Sequence, residues 1–116
     1  MYMEKTYLSI EELSTVLKLL GDRTRLDIMR YVSVDECCVC ELVELLNLSQ
    51  PSISQHLRKL KDARLVNEKR KGNWVFYSKN MNHPASEIIN GILGHLPDGK
   101  KEIEELSNQN MRIICD

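Results

Sequence analysis

Apolar residues in the first half of the chain recur at helical spacing. Ser9 and Glu12 have the separation of a capping box, and Leu13, Val16, Leu17 and Leu20 follow them, which predicts a helix over 9–20. Gly21 stops that helix and Asp22 caps the next, in which Leu26, Ile28, Met29 and Val32 continue to about residue 33. Val39, Leu42, Val43 and Leu46 predict a short third helix over about 38–46, and Asn47-Leu48-Ser49 reads as a turn. A fourth helix starts from Ser49 as N-cap, with Pro51 in the first turn where a missing N–H is harmless, and ends near Ala63.

The pattern then changes. Leu65 to Arg70 and Trp74 to Ser78 read as two strands around Lys71-Gly72-Asn73, a hairpin that presents Arg70 and Lys71 at its loop. Helical spacing returns from about 84 to 107, with Ala85, Ile88, Ile89, Ile92, Leu93 and Leu96 on one side and an interruption at Pro97-Asp98-Gly99. A positioning helix, a recognition helix and a basic hairpin in succession predict a winged helix-turn-helix. The fold class is mainly α with a β-hairpin wing (α+β), one domain over residues 1–116.

With 116 residues, 42% apolar and 28% charged, the chain can build one small core, and a large active-site cleft would have to be shared between copies. The sequence contains no long apolar run and no signal-peptide pattern, so the expectation is a cytoplasmic protein without a membrane partner. A formal charge of −1 argues against nucleic acid until its distribution is examined. Residues 49–80 carry eight Lys or Arg against two acids, while both flanks are acidic. One basic block between acidic flanks suggests a single polyanion-binding face.

Four stretches together carry a resemblance: Leu20-Gly21-Asp22-Arg23-Thr24-Arg25-Leu26-Asp27-Ile28, Cys38-Val39-Cys40-Glu41-Leu42, Ser49-Gln50-Pro51-Ser52-Ile53-Ser54-Gln55-His56-Leu57, and Lys71-Gly72-Asn73-Trp74-Val75-Phe76-Tyr77. In this order and spacing they resemble the arsenical-resistance repressor (ArsR/SmtB) family over nearly the whole chain. Chain length and Asn82-His83-Pro84-Ala85 are similar to its arsenite-sensing branch. The resemblance implies a repressor that releases its operator on binding an ion, and no enzymatic activity.

In the fourth helix, Ile53, Leu57 and Leu60 fall within about 60° of one another and form a narrow core stripe. The outward side and N-terminal tip hold Gln50, Ser52, Ser54 and Gln55, side chains able to bond base edges in the major groove. Arg58, Lys59, Arg70 and Lys71 are expected on phosphates, where they set affinity and salt dependence. His56 lies near the core boundary and reads as a packing or hydrogen-bonding residue.

The apolar stripe from 84 onward is richer than one small core requires, and Gly91 and Gly94 suit close backbone approach. Together with the first helix it resembles the family's dimerisation surface, with Leu13, Leu17, Ile88, Ile92 and Leu96 as interface candidates. A two-fold homodimer predicts an imperfect inverted repeat of double-stranded DNA.

Three of the four cysteines are crowded at Cys37, Cys38 and Cys40, where neighbours pair poorly as disulfides but suit a soft ion in a reducing compartment. Cys38 and Cys40 match the family's Cys-x-Cys pair. At i and i+2 their side chains diverge on a regular helix, so one ion can take both only if the helix start bends or unwinds. Arsenite prefers three sulfurs. Val43 occupies a position where the arsenite branch often has a further cysteine, leaving Cys37 as the obvious substitute and Cys115 as the alternative. The expected inducer is arsenite, As(III); antimonite, Sb(III), and Cd, Pb or Zn stay open, as does a thiol redox or persulfide switch. The absence of N-terminal cysteines disfavours cadmium. Asn82 and Pro84 stand where the family's last-helix zinc ligands would fall, so His83 and His95 read as surface residues.

Overall fold

The computed structural model describes residues 7–108. Within them run α1 (Ile10–Leu20), α2 (Arg23–Val34), β1 (Cys37–Cys38), α3 (Val39–Leu46), α4 (Gln50–Asp62), β2 (Val66–Lys71), β3 (Trp74–Lys79), α5 (Ser86–Leu93) and α6 (Lys100–Asn108). Local chemistry sets most of the helix starts. The Ser9 hydroxyl accepts the Glu12 N–H at 3.0 Å while Glu12 Oε1 accepts the Ser9 N–H, also at 3.0 Å. Asp22 accepts the Arg25 N–H at 3.1 Å, and Ser49 accepts the Ser52 N–H at 3.3 Å. Asn47, left-handed at φ 54°, ends α3 and turns the chain into α4.

The apolar stripes meet in one cluster. Ile28 and Met29 of α2, Leu42 of α3, Ile53, Leu57 and Leu60 of α4, Ile89 of α5, and Leu65 just before β2 are all fully buried in it. At about 1.5–3 kcal/mol for each such side chain removed from water, this contact fixes the inner face of α4 against α2 and α3 and leaves its polar face outside.

The sheet differs from the expected hairpin by one strand. β2 and β3 pair antiparallel from Val66 opposite Lys79 to Lys71 opposite Trp74, and Gly72, at φ 62°, supplies the positive φ that their two-residue turn needs. β1 adds to the other side of β3, with Cys37 opposite Tyr77 and Cys38 opposite Phe76, so the order is β1-β3-β2. Two residues cannot display a strand period, and their partners lie about forty positions away, so nothing local announces this strand.

A second difference concerns 84–107, expected as one helical region interrupted at Pro97-Asp98-Gly99. It is two helices. Gly94 caps α5, and the Pro97-Asp98-Gly99 segment reverses the chain so that α6 packs Ile103 and Leu106 back against α2 and α3 of the same chain. Leu96 therefore lies between the helices, half-buried beside Leu26 and Arg30 of α2. Arg30 holds the reversal by donating to the Pro97 carbonyl at 2.6 Å. Gly99 lies so close to Tyr31 that an added Cβ would come within 2.5 Å of the ring. Open space surrounds Gly91 within the chain.

Candidate nucleic-acid interface and thiol cluster

α3 and α4 form the helix-turn-helix, and the burial of Ile53, Leu57 and Leu60 turns the other side of α4 to solvent. Gln50, Gln55, Arg58 and Lys59 are exposed there, whereas Ser52 and Ser54 are half-buried. His56 is half-buried at the flank, with Nδ1 3.3 Å from an Arg25 guanidinium nitrogen and 3.9 Å from Asp22. Arg25 also donates to the Leu19 carbonyl at 2.7 Å, so this polar staple ties α4 to the α1–α2 corner.

The basic residues of the wing have different fates. Arg70 is exposed, whereas Lys71 is half-buried, ion-paired with Glu36, and has its ammonium 5.2 Å from the centre of the Phe76 ring. Lys79, counted by sequence among the polyanion-binding charges, points inward at 7% exposure. Its ammonium donates to the Ser86 hydroxyl at 3.2 Å and to Asn90, and burial lowers its pKa. It links β3 to α5 rather than facing a polyanion. The base of the wing is tied to α4 as well. Lys61 of α4 donates to Glu68 Oε1 at 3.0 Å, and the Tyr77 hydroxyl donates to Glu68 Oε2 at 2.9 Å. Burial and the adjacent Glu68 carboxylate push the Tyr77 hydroxyl up to about 12, while Lys61 and Tyr77 hold Glu68 below the usual carboxylate range.

The cysteines lie where the wing sheet joins the positioning helix. Cys37 and Cys38 form β1 and are 1% and 2% exposed; Cys40, in the first turn of α3, is exposed. The third helix thus starts one residue later than expected, with Cys38 as its cap. The Cys37 thiol reaches the Asp35 carbonyl at 3.5 Å, and the Cys38 backbone N–H donates to Glu41 Oε1 at 2.9 Å. Burial, then the nearby Glu41 charge, push the Cys38 thiol up to about 11. Among the described residues no three His, Cys, Asp or Glu side chains already form a metal-holding group, and no disulfide joins these cysteines. Cys115 lies outside the described residues.

Sequence places Glu36 and Glu41 beside the cysteines and Tyr77 and Lys79 in the basic wing segment, but it assigns none of them the contacts they make here. Only Glu41 carried a signal, its capping-box distance from Cys38, hidden because the capping residue is a cysteine rather than Ser or Thr. His83, expected at the surface, is half-buried. Its Nε2 lies 3.1 Å from the Ala63 carbonyl and its Nδ1 accepts the Ala85 N–H at 2.9 Å, bridging the end of α4 to the start of α5. His95 is exposed. At the dimer candidates, Leu17 and Ile88 are exposed apolar side chains and Leu13 and Ile92 are half-buried. No helix of the described residues is long and apolar enough to cross a membrane.

The model of the family described as "Bacterial regulatory protein, arsR family" matches residues 22–68, from the cap of α2 through α4 into β2. An arsenical resistance operon repressor of Staphylococcus aureus is 35% identical over 108 residues, covering 93% of this chain and 92% of that protein. One of Staphylococcus xylosus is 41% identical over 83 residues, covering 72% and 78%. Among solved structures, reduced HlyU from Vibrio cholerae N16961 superposes with a TM-score of 0.63 at 31% identity, covering 69% of this chain and 83% of that one. Matching sequence over nearly the full length and a shared winged fold lead to one conclusion: the chain is a member of the arsR family of bacterial regulatory proteins, a DNA-binding transcriptional regulator and not an enzyme.

Proposed function

We propose that the protein is a repressor that binds an imperfect inverted-repeat operator as a homodimer and releases it when cysteine thiolates capture arsenite or antimonite. The observation that carries this reading is the placement of three thiols within four residues, at the one junction shared by the wing sheet and the positioning helix. The names of the similar staphylococcal proteins, both arsenical resistance operon repressors, support the choice of inducer. Gln50, Ser52, Ser54 and Gln55 read bases; Arg58, Lys59 and Arg70, with Lys71 at the wing tip, engage phosphates. Exposed Leu17 and Ile88, with Leu13 and Ile92, form the apolar patch that a second copy covers.

Soft thiolates suit As(III), and Cys37, Cys38 and Cys40 are the sulfurs within reach of one another along the chain. Two of them are buried and one is exposed, so their joint capture of one ion reshapes the β1–α3 junction. The energetics permit a switch. A thousandfold loss of DNA affinity requires about 4 kcal/mol, less than the roughly 10 kcal/mol a multi-thiolate site can supply.

The test is fluorescence anisotropy on a duplex that the protein itself selects from a random-sequence pool, titrated separately with arsenite, antimonite, cadmium and zinc in a phosphine reductant. Release by micromolar arsenite, lost in Cys38→Ser and Cys40→Ser variants that still bind DNA, is the expected result. Release only by oxidant, reversed by dithiothreitol, would replace it with a redox switch. Sedimentation of the wild type and of Leu17→Glu reports the dimer: the variant should sediment as a monomer and lose operator binding.

A further inference from the structure

We propose that ion capture reaches the DNA through the wing, with Glu36, Tyr77 and Glu68 as the positioning residues that couple the thiols to the DNA-binding elements. This rests on the thiolate-capture reading above. The winged hairpin is not a free appendage. Its central strand, β3, is bordered on one side by β2 and on the other by β1, whose two residues are Cys37 and Cys38. Successive residues of a strand project to opposite faces of the sheet. Cys37 and Cys38 therefore present their sulfurs to opposite sides while β1 stays paired, and one ion can bind both only if that pairing with Tyr77 and Phe76 is given up.

Three contacts carry such a displacement outward. Glu36, directly before the strand, is ion-paired with Lys71 at the end of β2, beside the wing turn. Tyr77, opposite Cys37, donates its hydroxyl to Glu68 of β2 at 2.9 Å. Glu68 in turn receives Lys61 of the recognition helix α4 at 3.0 Å. Loss of β1 from the sheet thus moves the partner of a wing-tip lysine and the partner of a recognition-helix lysine together. The orientation of the wing relative to α4, which must match the spacing of phosphates and groove, is what the inducer alters.

Trp74 gives the experiment its probe: it is the chain's one tryptophan, and it opens β3 opposite Lys71. Full-length dimer without DNA is titrated with sodium arsenite in a phosphine reductant while Trp74 emission and arsenite uptake by intact-protein mass are followed. The expected result is an emission change that saturates with uptake and is absent in Cys38→Ser. Tyr77→Phe and Glu36→Gln should each take up arsenite within about twofold of wild type, while the factor by which arsenite weakens DNA binding falls by about tenfold or more. Circular dichroism checks that both variants are folded, and Glu68→Gln provides a third break in the same path. An unchanged Trp74 signal, or an unchanged release factor in all three variants despite normal uptake, overturns the proposal and leaves direct α3–α4 packing as the route. Absence of uptake by wild type instead removes the thiolate-capture reading, and this inference falls with it.

Discussion

Glu41 Oε1 accepts the backbone N–H of Cys38 at 2.9 Å, and both residues are almost wholly withdrawn from water. A buried carboxylate thus holds the residue on which the last strand position, the cap of the positioning helix and the central thiol coincide. Truncation to alanine leaves the Cys38 N–H without that acceptor, which costs about 1–3 kcal/mol for a buried donor. Glu41→Ala should therefore lower the unfolding free energy measured by urea titration by that amount, seen as an earlier midpoint. Glu41→Gln retains an acceptor oxygen of the same reach and should lose much less.

The alkaline limit of stability follows from the Cys38 thiol. Its pKa rises from 9.0 to about 11 in the fold, chiefly through burial, so the protonated thiol is the form the fold favours. Its contribution is fully present below pH 9 and is lost as pH rises toward 11. Denaturant unfolding of the reduced protein at a series of pH values should show stability falling over that window, with roughly 2 kcal/mol of the fall missing in Cys38→Ala. Tyr77, raised to about 12 by burial and Glu68, extends the loss to higher pH, which Tyr77→Phe should reduce.

Gly99 is held against the Tyr31 ring, and an added Cβ would approach it to 2.5 Å. The ring is 4% exposed and cannot swing into solvent without opening the contact between α2 and α6. Gly99→Ala should destabilise the fold by about 1–3 kcal/mol, the usual cost of overpacking, seen as a lower Tm by calorimetry. Gly91→Ala meets no atom within 4 Å inside the chain and replaces a poor helix former, so it should not destabilise the monomeric fold. Any loss it causes in sedimentation would locate Gly91 in the contact between copies.

On α4 the exposed residues divide by chemistry. Arg58→Ala and Lys59→Ala should weaken binding to all duplex sequences alike and reduce the slope of log affinity against log salt by about one each. Gln50→Ala and Gln55→Ala should instead relax discrimination at one base pair by about 1–3 kcal/mol, leaving the salt slope unchanged. Competition with single-base-changed duplexes at several salt concentrations separates these outcomes.

The contrast between the caps shows what was legible in the chain. Ser9 with Glu12, Asp22 with Arg25, and Ser49 with Ser52 are contacts over three residues, made by side chains whose preference for those positions is strong, so the starts of α1, α2 and α4 could be read directly. The inner stripe of α4 was equally readable, since helical period alone brings Ile53, Leu57 and Leu60 together. The same reasoning found the interruption at Pro97-Asp98-Gly99 but not the reversal of the chain there, which no local period encodes. It also placed Lys79 on the basic face, since charge was counted by position in sequence and not by the direction of the side chain.

By itself, then, the sequence determined the helix-turn-helix, the polar outer face of α4, the basic hairpin and the crowding of three thiols, all of them properties of neighbouring residues and of backbone periods. Only the tertiary structure decided that Cys37 and Cys38 are a strand of the wing, that Glu36 and Glu68 tie that strand's sheet to Lys71 and to Lys61 of α4, and that α6 folds back on α2. The physical reason is sequence separation. Cys37 and Tyr77, or Glu36 and Lys71, lie some forty or thirty-five positions apart and leave no periodic trace in either segment, and even Lys61 and Glu68, seven apart, meet only once α4 and β2 have packed.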